Sequence, residues 1–411
     1  MRKYYLERSK HEYINSTGLA PLQANAHWLT KLLFWTYSVF LVGLFFFPTA
    51  PDHYKFYYFA VLPLAVVRIP AGLSQLRNNL LFRLLVLYVV YMVLSATWSD
   101  PFSFPGLLQS IMAGLYVLVF CVITVVLYID YPEQFALLLQ ITCVIAGLAA
   151  IIAMGVWYRD HPFPQARLPG IGRLYTEVRS ACAYGFFVVL TADYVLRTRR
   201  TSARLGFALL VFIVLGFVLL TQSRTGLLAV GVGLLVLTLA EHTQKAATGL
   251  LLLAAGSGLL LLSYPELLEG LRRSEPYRPA IWSAVVNYAL QAPFFGHGYL
   301  VDTSVYVNST KFIVAHSSYL ATLRDGGCIG LCLLLSLLGY AGWSAFRLAR
   351  ESGNYVLLAL LLYGMICMAP DGDRLLTRPR EQWLFLWLPL ALIMAQPGSH
   401  SERSRYTRPL M

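Results

Sequence analysis

The chain has 411 residues, of which 58% are hydrophobic and only 13% charged, and it carries a net charge of +12 with a mean hydropathy of +0.62. Soluble globular chains carry roughly 25% charged residues. The composition therefore excludes a string of soluble domains. It implies an all-α, polytopic inner-membrane protein, with residues 1–411 forming one bundle of about twelve transmembrane helices.

In chain order, a polar N-terminal stretch precedes the first apolar run at Lys31, which reads as a retained helix and not a cleaved signal. The apolar segments fall at 31–47, 54–70, 80–97, 106–128, 135–156, 181–196, 205–221, 224–240, 247–263, 327–346, 354–369 and 383–396. Each can satisfy its own backbone as a helix in hydrocarbon. The segments at 54–70 and 354–369 are short for spans.

Short loops rich in Lys and Arg face the cytoplasm. Arg2, Lys3, Arg8, Lys10 and Lys31 mark the N-terminus. Arg68, Arg77 and Arg83 follow the second segment, Arg197, Arg199, Arg200 and Arg204 the sixth, and Arg347 and Arg350 the tenth. Arg403, Arg405 and Arg408 mark the C-terminus. With twelve spans all of these lie on one side, so both termini are expected to be cytoplasmic.

The opposite side should be poor in basic residues, yet its later loops are not. They hold Arg159, Arg167, Arg173 and Arg179, then Arg224, then Arg272, Arg273, Arg278, Lys311 and Arg324, then Arg374, Arg378 and Arg380. Nearly all are Arg, whose planar fork binds phosphate bidentately. The collective excess implies an external surface for polyanionic lipid head groups. Any single arginine has an equally good structural reading, snorkelling or pairing with acids such as Glu177, Glu275, Asp325 or Glu381.

Three stretches carry chemistry. Thr221-Gln-Ser-Arg-Thr-Gly226 puts Arg224 at a helix N-terminus, a place suited to an anion or to a snorkelling interfacial Arg. The loop 264–326 is long enough to imply function. It holds Arg278-Pro-Ala-Ile-Trp282 and Pro293-Phe-Phe-Gly-His-Gly298, and Tyr277–Gln291 has helical periodicity with Ile281, Val285 and Ala289 on one face. Gly296 and Gly298 suit a tight turn or a close backbone approach to a ligand. The third stretch is His316-Ser-Ser-Tyr-Leu320, followed by Arg324-Asp-Gly-Gly327. His316 either accepts a proton from a sugar hydroxyl or is hydrogen-bonded within the loop.

The six cysteines, Cys121, Cys143, Cys182, Cys328, Cys332 and Cys367, lie in or beside apolar segments, with no C-x-x-C. They indicate neither a zinc nor a redox site. No metalloprotease, P-loop or dinucleotide motif occurs. The basic charge is accounted for by cytoplasmic loops and external arginines, so no nucleic-acid partner is expected.

The motifs S-R-T-G at 223–226, R-x-x-x-W at 278–282, P-x-x-G-x-G at 293–298, H-S-S-Y-L at 316–320 and G-G-C-I-G at 326–330 resemble, in order and spacing, the O-antigen ligase family. The wider group includes O-antigen polymerases and protein O-oligosaccharyltransferases. Ser317 is a departure, since many members have Asn there, and it hints at a different hydrogen-bond partner. The resemblance implies a GT-C-type membrane glycosyltransferase acting on the periplasmic side. It implies an undecaprenyl diphosphate-linked glycan donor, a lipid A-core acceptor and neither metal nor other cofactor.

On this reading His316, Arg224 and Arg278 are the expected catalytic residues. Arg173, Arg179, His297, Tyr319 and Arg324 are the expected substrate-binding ones. The arginines would neutralise the leaving diphosphate, and direct displacement predicts inversion. An O-antigen polymerase with the same donor is the nearest alternative. A lipid or polysaccharide transporter is a further one, disfavoured because ionisable residues are scarce within the spans.

Overall fold

The computed structural model describes residues 20–241, 258, 262–272, 277–307 and 310–396, and most of them form helices. The order is α1 (Ala20–Val42), α2 (Ala50–Ala65), α3 (Ile69–Leu76), α4 (Leu80–Ser95), α5 (Phe104–Asp130), α6 (Pro132–Asp160), α7 (Glu177–Arg197), α8 (Thr201–Leu220) and α9 (Arg224–Glu241). Then come α10 (Pro265–Arg272), α11 (Tyr277–Ala289), a two-stranded hairpin, α12 (Ser318–Ser352), α13 (Val356–Met368) and α14 (Trp383–Met394).

Six described helices are long and apolar enough to cross a membrane, or up to seven if the bent pair α2–α3 counts as one span. Four shorter apolar helices accompany them: Trp28–Val42, Arg224–Leu239, Val356–Met368 and Trp383–Met394. The protein is thus a multi-pass helical membrane protein. The segment expected at 247–263 lies almost wholly outside the described residues.

Where the helices depart from straight spans, the sequence supplies the cause. The segment expected as one span at 54–70 bends by 77° between α2 and α3. Pro63 follows a π-turn at Tyr57–Val61, and Pro70 sits in the first turn of α3. Proline removes an N–H donor and crowds the preceding turn. The last span repeats the device, with a π-turn at Trp383–Trp387 ahead of Pro389.

Helices approach closely where side chains are small, as membrane packing without a hydrophobic drive requires. An added Cβ on Gly226 would lie 2.7 Å from the Ala181 Cβ, and one on Gly364 would lie 2.1 Å from the Phe385 carbonyl oxygen. These contacts bring α7 against α9 and α13 against α14. Large apolar side chains such as Phe59 and Trp35 are left exposed on the outer surface, as expected of residues that meet lipid.

The long loop folds on its own small core. Ile281, Val285 and Ala289 are buried on one face of α11, as their periodicity predicts. Ile281 and Val285 pack with Val305, Val307, Ala315 and Ala321. The hairpin pairs Val305–Val307 antiparallel with Thr310–Phe312.

Candidate active site

The glycine motifs serve the scaffold. Gly327 breaks α12 with φ 63° and ψ −164°. A Cβ there would lie 2.3 Å from the Phe294 carbonyl oxygen, and one on Gly296 (φ 71°) would lie 2.4 Å from the Gly327 nitrogen. Backbone hydrogen bonds cross the same junction: His297 N–H to the Arg324 carbonyl (2.9 Å), Gly298 N–H to Asp325 (2.8 Å) and Cys328 N–H to Pro293 (2.8 Å). The close approach that Gly296 and Gly298 permit is therefore to the chain's own backbone. P-x-x-G-x-G and G-G-C-I-G are two halves of one interlock.

That interlock fixes the start of α12, and His316 stands just before it. Ser317 is the N-cap residue, its Oγ accepting from the Leu320 N–H at 3.4 Å. Ser and Asn are equally good caps, which accounts for the exchange at this position. His316 itself has φ 48°, a left-handed conformation uncommon outside glycine. Its carbonyl accepts from the Trp282 indole N–H at 3.1 Å. Trp282 lies one helical turn after Arg278 on α11, so R-x-x-x-W places the arginine and the histidine's anchor on one face.

The imidazole faces Asp371, with Nδ1 3.6 Å from Oδ1 and both side chains partly exposed. Burial would raise the Asp371 carboxyl, but His316, the Gly372 N–H and the positive charge of Arg278 together hold it below the ordinary carboxylate range. The Asp371 carboxylate thus faces His316 and lies within the field of Arg278, residues 38 positions apart in sequence. Asp371 is a candidate site residue that sequence reasoning missed. Its signal was Pro370-Asp-Gly-Asp-Arg374, a charged, glycine-containing turn between two spans.

Beside Asp371, a narrow crevice is lined by Arg179, Cys182, Gly372, Glu381 and Gln382. Glu381 gathers three arginines: Arg173 at 3.8 Å, Arg179 at 3.6 Å and Arg380 at 3.4 Å. Burial would raise the Glu381 carboxyl, yet Arg380, Arg179 and Arg173 hold it below its usual value. Arg173 is itself pushed down to about 10 by burial and by its neighbours Arg380 and Arg179, against the pull of Glu381.

Arg224 is exposed at the first residue of α9. Its support is separate: Gln222 donates to the Pro164 carbonyl at 3.0 Å, and Arg167 Nε donates to the Thr221 carbonyl at 3.2 Å. Arg278, His316 and Arg179 keep partly exposed side chains near Asp371 or the crevice.

Four expected substrate contacts are occupied within the protein. Arg324 is fully buried, with Nε 2.7 Å from Asp325 and Nη2 3.3 Å from Asp373. Arg173 is likewise buried, on Glu381 and the Pro379 carbonyl. Neither leaves surface for a substrate, so both hold up the site from beneath. His297 stacks on Tyr288 at 3.8 Å and bonds its carbonyl through Nε2 at 2.7 Å. The Tyr319 hydroxyl donates to the Met365 carbonyl at 3.0 Å.

The family model described as O-antigen ligase matches residues 209–335, the stretch from α8 into α12 that holds the S-R-T-G, R-x-x-x-W, P-x-x-G-x-G and H-S-S-Y-L motifs. An O-antigen ligase of Pseudomonas aeruginosa is 30% identical over 381 residues, which cover 90% of this chain and 91% of that protein. Since likeness of this extent runs through both the spans and the site, this chain belongs to the O-antigen ligase family of glycosyltransferase-type membrane enzymes.

Proposed function

We propose that the protein transfers O-antigen glycan from undecaprenyl diphosphate to a sugar hydroxyl of lipid A-core, at the periplasmic face of the inner membrane, by direct inverting displacement without a metal ion. One observation carries the reading: Asp371 lies against the His316 imidazole and under the charge of Arg278. A group for the acceptor hydroxyl and a group for the leaving phosphate thereby act on the same carboxylate.

In the reaction the bond between the anomeric carbon and the diphosphate oxygen breaks, and negative charge grows on the departing lipid diphosphate. Arg278, with Arg224, neutralises that charge. Each such donor is worth roughly 3 kcal/mol in a preorganised site. His316 Nδ1 faces Asp371 at 3.6 Å, and Nε2 is the nitrogen that takes the acceptor's proton, a contribution of about 10²–10⁴-fold. The arginines occupy the electrostatic role that a divalent cation fills in many nucleotide-sugar enzymes. The orientation follows from the basic short loops, which put both termini in the cytoplasm.

The test is donor affinity and single-turnover transfer for purified enzyme in nanodiscs. His316→Ala should bind donor normally and lose transfer by about 10²–10⁴-fold. Arg278→Ala should weaken donor binding, and Arg278→Lys should not restore it, because the planar fork is lost. Wild-type enzyme should keep its activity in excess EDTA. Transfer by His316→Ala at the wild-type rate, or an EDTA loss reversed by Mg²⁺, would overturn the mechanism.

A further inference from the structure

We propose that Arg179 and Arg380 form a second phosphoanion subsite, separate from Arg278, which holds a phosphate of one of the two lipid substrates beside the reaction centre. The inference rests on the glycosyltransferase reading above and adds a specificity-determining pair to it.

The argument is one of charge and support. Arg179 Nε and Arg380 Nη2 lie 3.6 and 3.4 Å from the same Glu381 oxygen, Oε1. The other carboxylate oxygen faces Arg173 at 3.8 Å. Three guanidiniums therefore share one negative charge, and the cluster is left with a surplus of two positive charges.

Arg173 does not carry that surplus outward, because it is buried and committed. One guanidinium nitrogen donates to His53 Nδ1 and the other to the Pro379 carbonyl at 3.2 Å. His53 is buried too, with Nε2–H donating to the Phe40 carbonyl at 2.7 Å and its ring stacked on Phe40. His53, Arg173 and Glu381 form a rigid floor. Arg179 and Arg380 stand on it with 37% and 27% of their side-chain surface exposed.

Two exposed guanidiniums converging on one oxygen repel each other, and a second anion placed between them relieves the repulsion. Paired guanidiniums match phosphate oxygens by shape as well as charge. Arg179 also lines the crevice that contains Asp371, so an anion held there lies next to His316. The phosphate comes either from the donor diphosphate or from a phosphorylated acceptor core, and kinetics separates the two.

Arg179→Gln, Arg380→Gln and the double variant are measured in nanodiscs, with Arg179→Lys and Arg380→Lys beside them. KM is determined for donor at saturating acceptor, and for acceptor at saturating donor, using native and enzymatically dephosphorylated lipid A-core. One KM should rise about tenfold per arginine with kcat within about twofold, and Lys should restore part of the loss. Inhibition by inorganic pyrophosphate should weaken in parallel. A rise for donor assigns the phosphate to the donor. A rise confined to phosphorylated core assigns it to the acceptor. Unchanged KM values in the folded double variant, or a fall in kcat alone, overturn the subsite while leaving the His316 test untouched. Glu381→Ala is not a usable probe, because it strands the buried charge of Arg173.

Discussion

Replacing Asp371 by Asn tests whether the histidine is oriented and charge-stabilised by a carboxylate. The substitution keeps volume and a hydrogen-bond acceptor but removes the negative charge 3.6 Å from His316 Nδ1. At an effective dielectric near 20, a unit pair at that distance is worth roughly 4 kcal/mol. The two side chains are 29% and 24% exposed, so solvent screening reduces this to about 2 kcal/mol. The imidazolium that forms as the acceptor hydroxyl loses its proton should be less stable by that amount, which corresponds to a transfer rate about 30-fold lower. The assay is single-turnover transfer at saturating donor, with donor affinity measured in parallel. Donor binding should change less than transfer, because Arg278 is still present and loses only a neutralising neighbour. An Asp371→Asn enzyme that is folded and transfers at the wild-type rate would refute the assignment. A variant defective only in donor binding would place Asp371 wholly on the donor side.

Three further outcomes follow. Gly327→Ala introduces a Cβ 2.3 Å from the Phe294 carbonyl oxygen at φ 63° and should destabilise the fold by at least about 2 kcal/mol, read as a lowered thermal midpoint in detergent. Gly339→Ala meets nothing within 4 Å and should leave the midpoint unchanged or raised. Asp371 and Glu381 have carboxyls held below their usual 3.8 and 4.5. Their contribution to stability is therefore complete above those values and is lost as pH falls through the lower folded ones. Thermal midpoints should hold from neutral pH down to about pH 5 and drop below about pH 4, and a loss centred near pH 6 would contradict this.

The helices were legible because an apolar run of sufficient length has few other fates in a membrane chain. The breaks were less so. Pro63 and Pro389 are visible in sequence, but whether a proline bends a helix or merely redistributes its hydrogen bonds depends on its neighbours. Arg278 and His316 stood out in the sequence as candidates, since a fork-shaped cation and a lone imidazole in a long loop have specific uses. Asp371 did not, because its meaning arises only when the turn before the last span folds against α11 and the start of α12. Arg324, expected to meet substrate, shows the converse, being engaged within the protein. Its partner Asp373 is 49 residues away, and sequence does not distinguish an arginine locked inside from one offered outside. The glycine motifs left a tight turn and a close approach to a ligand both open, because the low steric demand of glycine looks the same whether a substrate or the chain's own backbone arrives.

The turn at 370–381 comes from the end of the chain, after every described helix except the last. This late turn supplies both Asp371, which faces His316, and Glu381, which faces Arg173 and Arg179, residues that come from much earlier in the chain. Formation of the crevice is thereby tied to the closure of the helical bundle, since Asp371 and Glu381 reach their partners only when the last described helix has packed.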